Sequence, residues 1–102
     1  MQTKEINEKI LFWNVDENAI LFEPREVFDE GIIGISEDKC HLIYSYHKLT
    51  EALAKSYQEE NKDTEQTFED FLDEACEWVD YNTIKSIPYM KSEYAPIIIY
   101  EF

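Results

Sequence analysis

The chain has 102 residues, with 23 Asp and Glu against nine Lys and Arg, a formal charge of −14 and a pI near 4.3. That balance excludes direct binding to nucleic acid and to anionic membrane surfaces, since both are held through clustered Lys and Arg. A hydrophobic fraction of 44%, aromatics making up 15% of the chain, excludes a permanently disordered one; the length suits one domain burying about 60 to 70% of its unfolded surface.

No run approaches the roughly 18 to 20 apolar residues of a membrane span, and residues 1–5 lack the basic start and apolar stretch of a signal peptide, so a cytoplasmic protein is expected. Cys40 and Cys76 then read as reduced, largely buried thiols with no disulfide.

In chain order, Ile6, Ile10 and Trp13 recur at spacings of four and three, which suits a short amphipathic helix over 4–13, a helical extension at the N-terminal side; Ile10 to Trp13 could equally begin a strand. Residues 16–18 read as a turn, 19–22 as a short strand and 23–26 as a loop around Pro24. The β-branched and aromatic runs 31–36 and 41–46, separated by the polar 37–40, have the pattern of an antiparallel hairpin. Leu49, Leu53, Ser56 and Tyr57 place a first long helix over 47–60, with Ser45 or Tyr46 near its start. After a break at 61–63, Asp63 or Thr64 is expected to cap a second helix over 64–80, with Gln66 completing a capping box. Residues 81–83 should fray, Pro88 should end any continuation, and the apolar run 95–101 supplies a last strand, read as interior to the sheet. The expected fold is α+β: a small, mostly antiparallel sheet of about four strands packed on one face by two helices.

The second helix concentrates the charge. Ten carboxylates and one lysine lie between Glu59 and Asp80. Phe68, Phe71, Leu72, Ala75 and Val79 share one stripe, with Cys76 at its margin, and Glu65, Glu69, Asp73, Glu77 and Asp80 share another. Like charges one turn apart cost a few tenths of a kcal/mol per pair, so the clustering raises the question of a basic partner. Tyr81 and Asn82, with Thr83, Lys85, Tyr89 and Tyr94, add a polar-aromatic patch that could extend a recognition surface. The competing readings are a solvated helix face serving solubility, Asn82 as a helix C-cap, and Tyr81 or Tyr89 as lids over the core.

Other chemistries find little support. Calcium needs six to eight oxygens from a loop with a tight glycine turn, which is missing. Cys40, His41, His47 and Cys76 lack zinc-ligand spacing, and neither cysteine sits at a helix start that would activate it. The two glycines, Gly31 and Gly34, stand in or beside a strand, where they mark a bulge or a close backbone approach and build no phosphate loop. No cofactor and no enzymatic activity are expected.

The block 77–89 (Glu-Trp-Val-Asp-Tyr-Asn-Thr-Ile-Lys-Ser-Ile-Pro-Tyr), with Ala95-Pro96-Ile97-Ile98, Phe28-Asp29 before Ile32-Ile33-Gly34, and Tyr44-Ser45-Tyr46, resembles small uncharacterised acidic proteins of gut bacteria and their phages. His47 stands at a position usually acidic there, and 90–94 replaces a small glycine-containing turn. The resemblance implies fold and a microbial or phage origin and adds nothing on mechanism. The reading that follows is a non-catalytic binding or regulatory protein presenting an acidic helix face to a basic protein surface, a nucleic-acid mimic in the phage setting. The alternative is a structural or self-assembling accessory protein, with a homo-oligomer left open.

Overall fold

The computed structural model describes residues 1–102 as an α+β fold. Its elements are α1 (Thr3–Phe12), α2 (Arg25–Phe28), β1 (Ile32–Ile35), β2 (Leu42–Ser45), α3 (Tyr46–Glu60), α4 (Phe68–Trp78) and β3 (Ile97–Ile99). A 3-10 turn (Asp29–Gly31) precedes β1, and a π turn (Val79–Thr83) and a 3-10 segment (Ile84–Tyr89) extend α4. None of the helices is long and apolar enough to cross a membrane.

The hairpin forms where alternation placed it, β1 pairing antiparallel with β2, with a bulge between Ile32 and Gly34. Its loop is held by the Ser36 and Asp38 side chains, which accept from the backbone amides of His41 and Cys40, each at 3.0 Å. The Ser36 hydroxyl donates to Asp38 and lowers that carboxyl's pKa. β2 turns directly into α3 because Ser45 can serve both elements: its backbone completes the strand while its hydroxyl accepts the Lys48 amide at 3.2 Å.

The sheet has three strands in the order β1-β2-β3, with β3 parallel to β2, so it is mixed rather than mostly antiparallel. The fourth expected strand, 19–22, is not formed, since the segment joins no ladder. Its amides go elsewhere, Ile20 donating to the Tyr94 carbonyl at 3.1 Å and Phe22 to the Tyr44 hydroxyl at 3.0 Å. β3 is an edge strand, not an interior one: Ile98 packs against the core while Ile97 and Ile99 remain 40% and 39% exposed. A run apolar on both faces can thus be half-covered, since alternation sends every second side chain outward.

The core gathers Phe22, Phe28, Tyr44, Leu49, Leu53 and Phe71 in one cluster, and α1 joins it through Ile6, 2% exposed. Four helices therefore contribute to the packing rather than two. Gly31 is needed for close approach: a Cβ there would stand 2.6 Å from a δ-carbon of Leu49, itself fully buried on α3.

α4 starts later than expected. Neither Asp63 nor Thr64 caps it; Thr67 accepts the Asp70 amide at 3.3 Å while the Asp70 carboxylate accepts the Thr67 amide at 3.0 Å. Residues 63–66 carry no apolar side chain to bury, so nothing holds them in a helix, whereas Phe68, Phe71 and Leu72 anchor the first turn after Thr67. Thr67→Ala should cost about 0.5 to 2 kcal/mol in urea unfolding, and Asp63→Ala less than about 0.5 kcal/mol. The helical path does not fray at 81–83 or stop at Pro88; it continues as π and 3-10 turns to Tyr89.

Candidate functional site

α3 and α4 pack as an antiparallel helical hairpin, tied at its open end by the Tyr46 hydroxyl, which donates to Asp80 at 3.0 Å. Burial first, then hydrogen bonds with Cys76 and Asp80, push the Tyr46 phenol pKa well above its ordinary value, so it remains a donor. α4 turns Phe71 and Ala75 inward, Val79 of the π turn follows them, and Glu69, Asp73 and Glu77 are exposed.

The sequence-derived set divides. Glu65 lies outside the helix, in the connection from α3, and is exposed. Glu69 and Asp73 stand on the outer face of α4, exposed, and neither takes part in an ion pair. Asp80 is occupied by Tyr46. Glu77, Tyr81 and Asn82 come together, with Tyr57, Glu74 and Trp78, around an open groove of about 360 Å³ between the two helices.

Its geometry depends on the π turn. Widening the helix by one residue per turn leaves carbonyls without their usual partner, and the Asn82 side chain fills that need by donating to the Trp78 carbonyl at 3.0 Å. Asn82 thus does cap, by its side chain and inside a continuing helical path. Tyr81 is no lid: it is 63% exposed, with the Lys85 ammonium 4.3 Å from its ring centroid. Tyr89, 92% exposed, is no lid either. Trp78 stacks on Phe28 at 5.8 Å and lines the groove. Glu74 accepts from Gln66 at 3.0 Å, and Glu77 is free of ion pairs. Burial, reinforced by Glu74 and Glu60, pushes the Tyr57 phenol up and keeps it neutral.

Glu74, Trp78 and Tyr57 were missed as site residues. Glu74, Glu77, Trp78 and Tyr81 follow the i, i+3, i+4, i+7 spacing, so the signal was present, overshadowed by the more regular carboxylate row. Two carboxylates, Glu74 and Glu77, in one groove are suited to pairing with a guanidinium or ammonium group.

The thiols and imidazoles are spread apart. His41 Nδ1 lies 2.7 Å from the Ala95 carbonyl, His47 Nε2 lies 2.6 Å from Glu51, and no three His, Cys, Asp or Glu side chains are grouped to hold a metal ion. Burial, with Asp38 and Asp16 nearby, raises the Cys40 thiol pKa and disfavours the thiolate. Comparison with protein-family models, with the curated proteins and with solved structures finds no match to this chain.

Proposed function

We propose that this is a non-catalytic, cytoplasmic binding protein whose α4 face and adjoining groove receive a Lys- or Arg-bearing segment of a protein partner. The observation that carries this is the juxtaposition of free Glu77 with Glu74, Trp78 and Tyr81 around one groove, next to the unpaired Glu69 and Asp73. The regular array is shorter than five carboxylates, since Glu65 leaves the helix and Asp80 is engaged. This favours a local basic segment over a long imitation of a phosphate backbone. A basic nucleic-acid-binding protein kept from its own substrate, in a bacterium or its phage, is a partner of the right chemistry.

The test is a titration of an Arg- and Lys-rich peptide into two variants with equal charge change. One carries Glu69→Gln, Asp73→Asn and Glu77→Gln; the other neutralises the exposed Glu17, Glu30 and Glu37. Binding should weaken at least tenfold in the first, about 1.4 kcal/mol, and much less in the second, and should decline with salt. Equal losses would reduce the ridge to bulk charge.

A second reading, self-assembly, is favoured by the half-exposed Ile97 and Ile99 on edge strand β3 and by Ile33, 38% exposed, on β1. It would appear as concentration-dependent mass indifferent to the first variant.

A further inference from the structure

A second groove, of about 510 Å³, lies between α1 and the β1–β2 hairpin and shares no residue with the acidic one. Nine of its 12 lining residues are hydrophobic, and the other three are Gly34, Lys9 and Lys39. In a chain with 23 carboxylates and nine basic residues, this lining holds two lysines and no carboxylate. Neither lysine is in an ion pair. The Lys39 ammonium stands 5.1 Å from the centroid of the Trp13 ring, which is 49% exposed, so charge and apolar surface meet at one edge of the groove.

β1 is an edge strand and lines this groove, which suggests strand addition as one mode of binding. The bulge between Ile32 and Gly34 opposes it, because it interrupts the regular run of backbone donors and acceptors an added strand would need. Recognition then falls to side chains. A groove of this size is within the roughly 300 to 1,000 Å³ range of small-molecule sites.

We propose that this groove binds a small amphipathic carboxylate, its apolar body lying along Ile10, Trp13 and Ile33 and its anionic head meeting Lys9 and Lys39. The lysines supply charge-assisted hydrogen bonds, and no carboxylate is among the lining residues that would meet the head. A cationic amphiphile would find two like charges there, and a neutral one only the apolar wall. The proposal stands independently of the acidic face.

Decanoate, 1-decanol and decylammonium share one apolar body and differ in head group. Each is titrated, below its micelle-forming concentration, into the Trp78→Phe chain, where Trp13 is the one remaining tryptophan. Decanoate should shift the Trp13 emission saturably and bind about tenfold more tightly than decanol, with decylammonium weakest. Adding Lys9→Gln and Lys39→Gln should weaken decanoate about tenfold and leave decanol unchanged; Lys9 is exposed and Lys39 half-buried, neither is in an ion pair, and circular dichroism checks that the variant is folded. Equal affinity for the three probes, no Trp13 response, or decanoate binding indifferent to the lysines would overturn the proposal. Saturable binding of an extended acidic peptide with no response to decanoate would overturn it too.

Discussion

Replacing Arg25 by methionine should lower the folding free energy by about 3 to 5 kcal/mol, a large part of the roughly 5 to 15 kcal/mol that holds a domain together. Asp29 is 1% exposed, and its carboxylate is met by Arg25 alone, with Nε at 3.0 Å and Nη2 at 2.8 Å. The same guanidinium donates to Asn7 of α1 at 2.7 Å, so one side chain joins α1, α2 and the turn before β1. Most of the cost arises from the charge left behind, not from the attraction lost. The double variant Arg25→Met with Asp29→Asn should therefore be more stable than Arg25→Met alone. Urea unfolding midpoints measure both; a single variant within about 1 kcal/mol of the parent would mean that water reaches Asp29.

Tyr44→Phe should cost about 1 to 3 kcal/mol near neutral pH, because it strands the buried Phe22 amide that now donates to the phenol oxygen. The ring itself, 4.5 Å from that of Phe22, stays in place. The same phenol makes the fold sensitive to alkali. Burial pushes the Tyr44 pKa far above its ordinary 10.0, so the unfolded chain gives up this proton at a pH where the folded one keeps it. Stability from this group is complete below pH 10 and falls as pH climbs above it. Tyr46 and Tyr57 are shifted in the same direction and add to the loss. Unfolding free energy followed from pH 7 to 11 should decline less steeply above about 10 in Tyr44→Phe than in the parent. Parallel profiles would remove Tyr44 from the alkaline transition.

Much of the fold could be read from local pattern, and the failures share a cause. The hairpin and α3 were legible because alternation, helical spacing and the Ser45 cap each act within a few residues. The segment 19–22 was not, because what occupies its Phe22 amide is a side chain 22 residues away. The start of α4 was placed too early, at Asp63 or Thr64, because a capping pattern alone does not show which turn is anchored by burial, here that of Phe71. The status of β3 as an edge was invisible, since a string of isoleucines looks the same with one covered face or two.

The candidate site was partly legible for the same reason. Glu77, Tyr81 and Asn82 were singled out and do converge, while Glu65 and Asp80 left the array through helix start and tertiary hydrogen bonding respectively. The π turn, which rotates Tyr81 and Asn82 relative to an ordinary helix, has no local signature in this chain. The lysine-edged groove required knowing that α1 lies against the hairpin.

The parallel pairing of β3 with β2 sets an order of assembly. His41, beside β2, and Ala95, before β3, touch across 54 positions of sequence, and the helical hairpin lies between them. During synthesis β1, β2 and both long helices emerge first, and β2 keeps one bare flank until residues 97–99 arrive. Such distant closure is slow compared with hairpin or helix formation. For that interval the nascent domain exposes the unpaired flank of β2, Leu42–Ser45, where neighbouring chains compete with its own last strand.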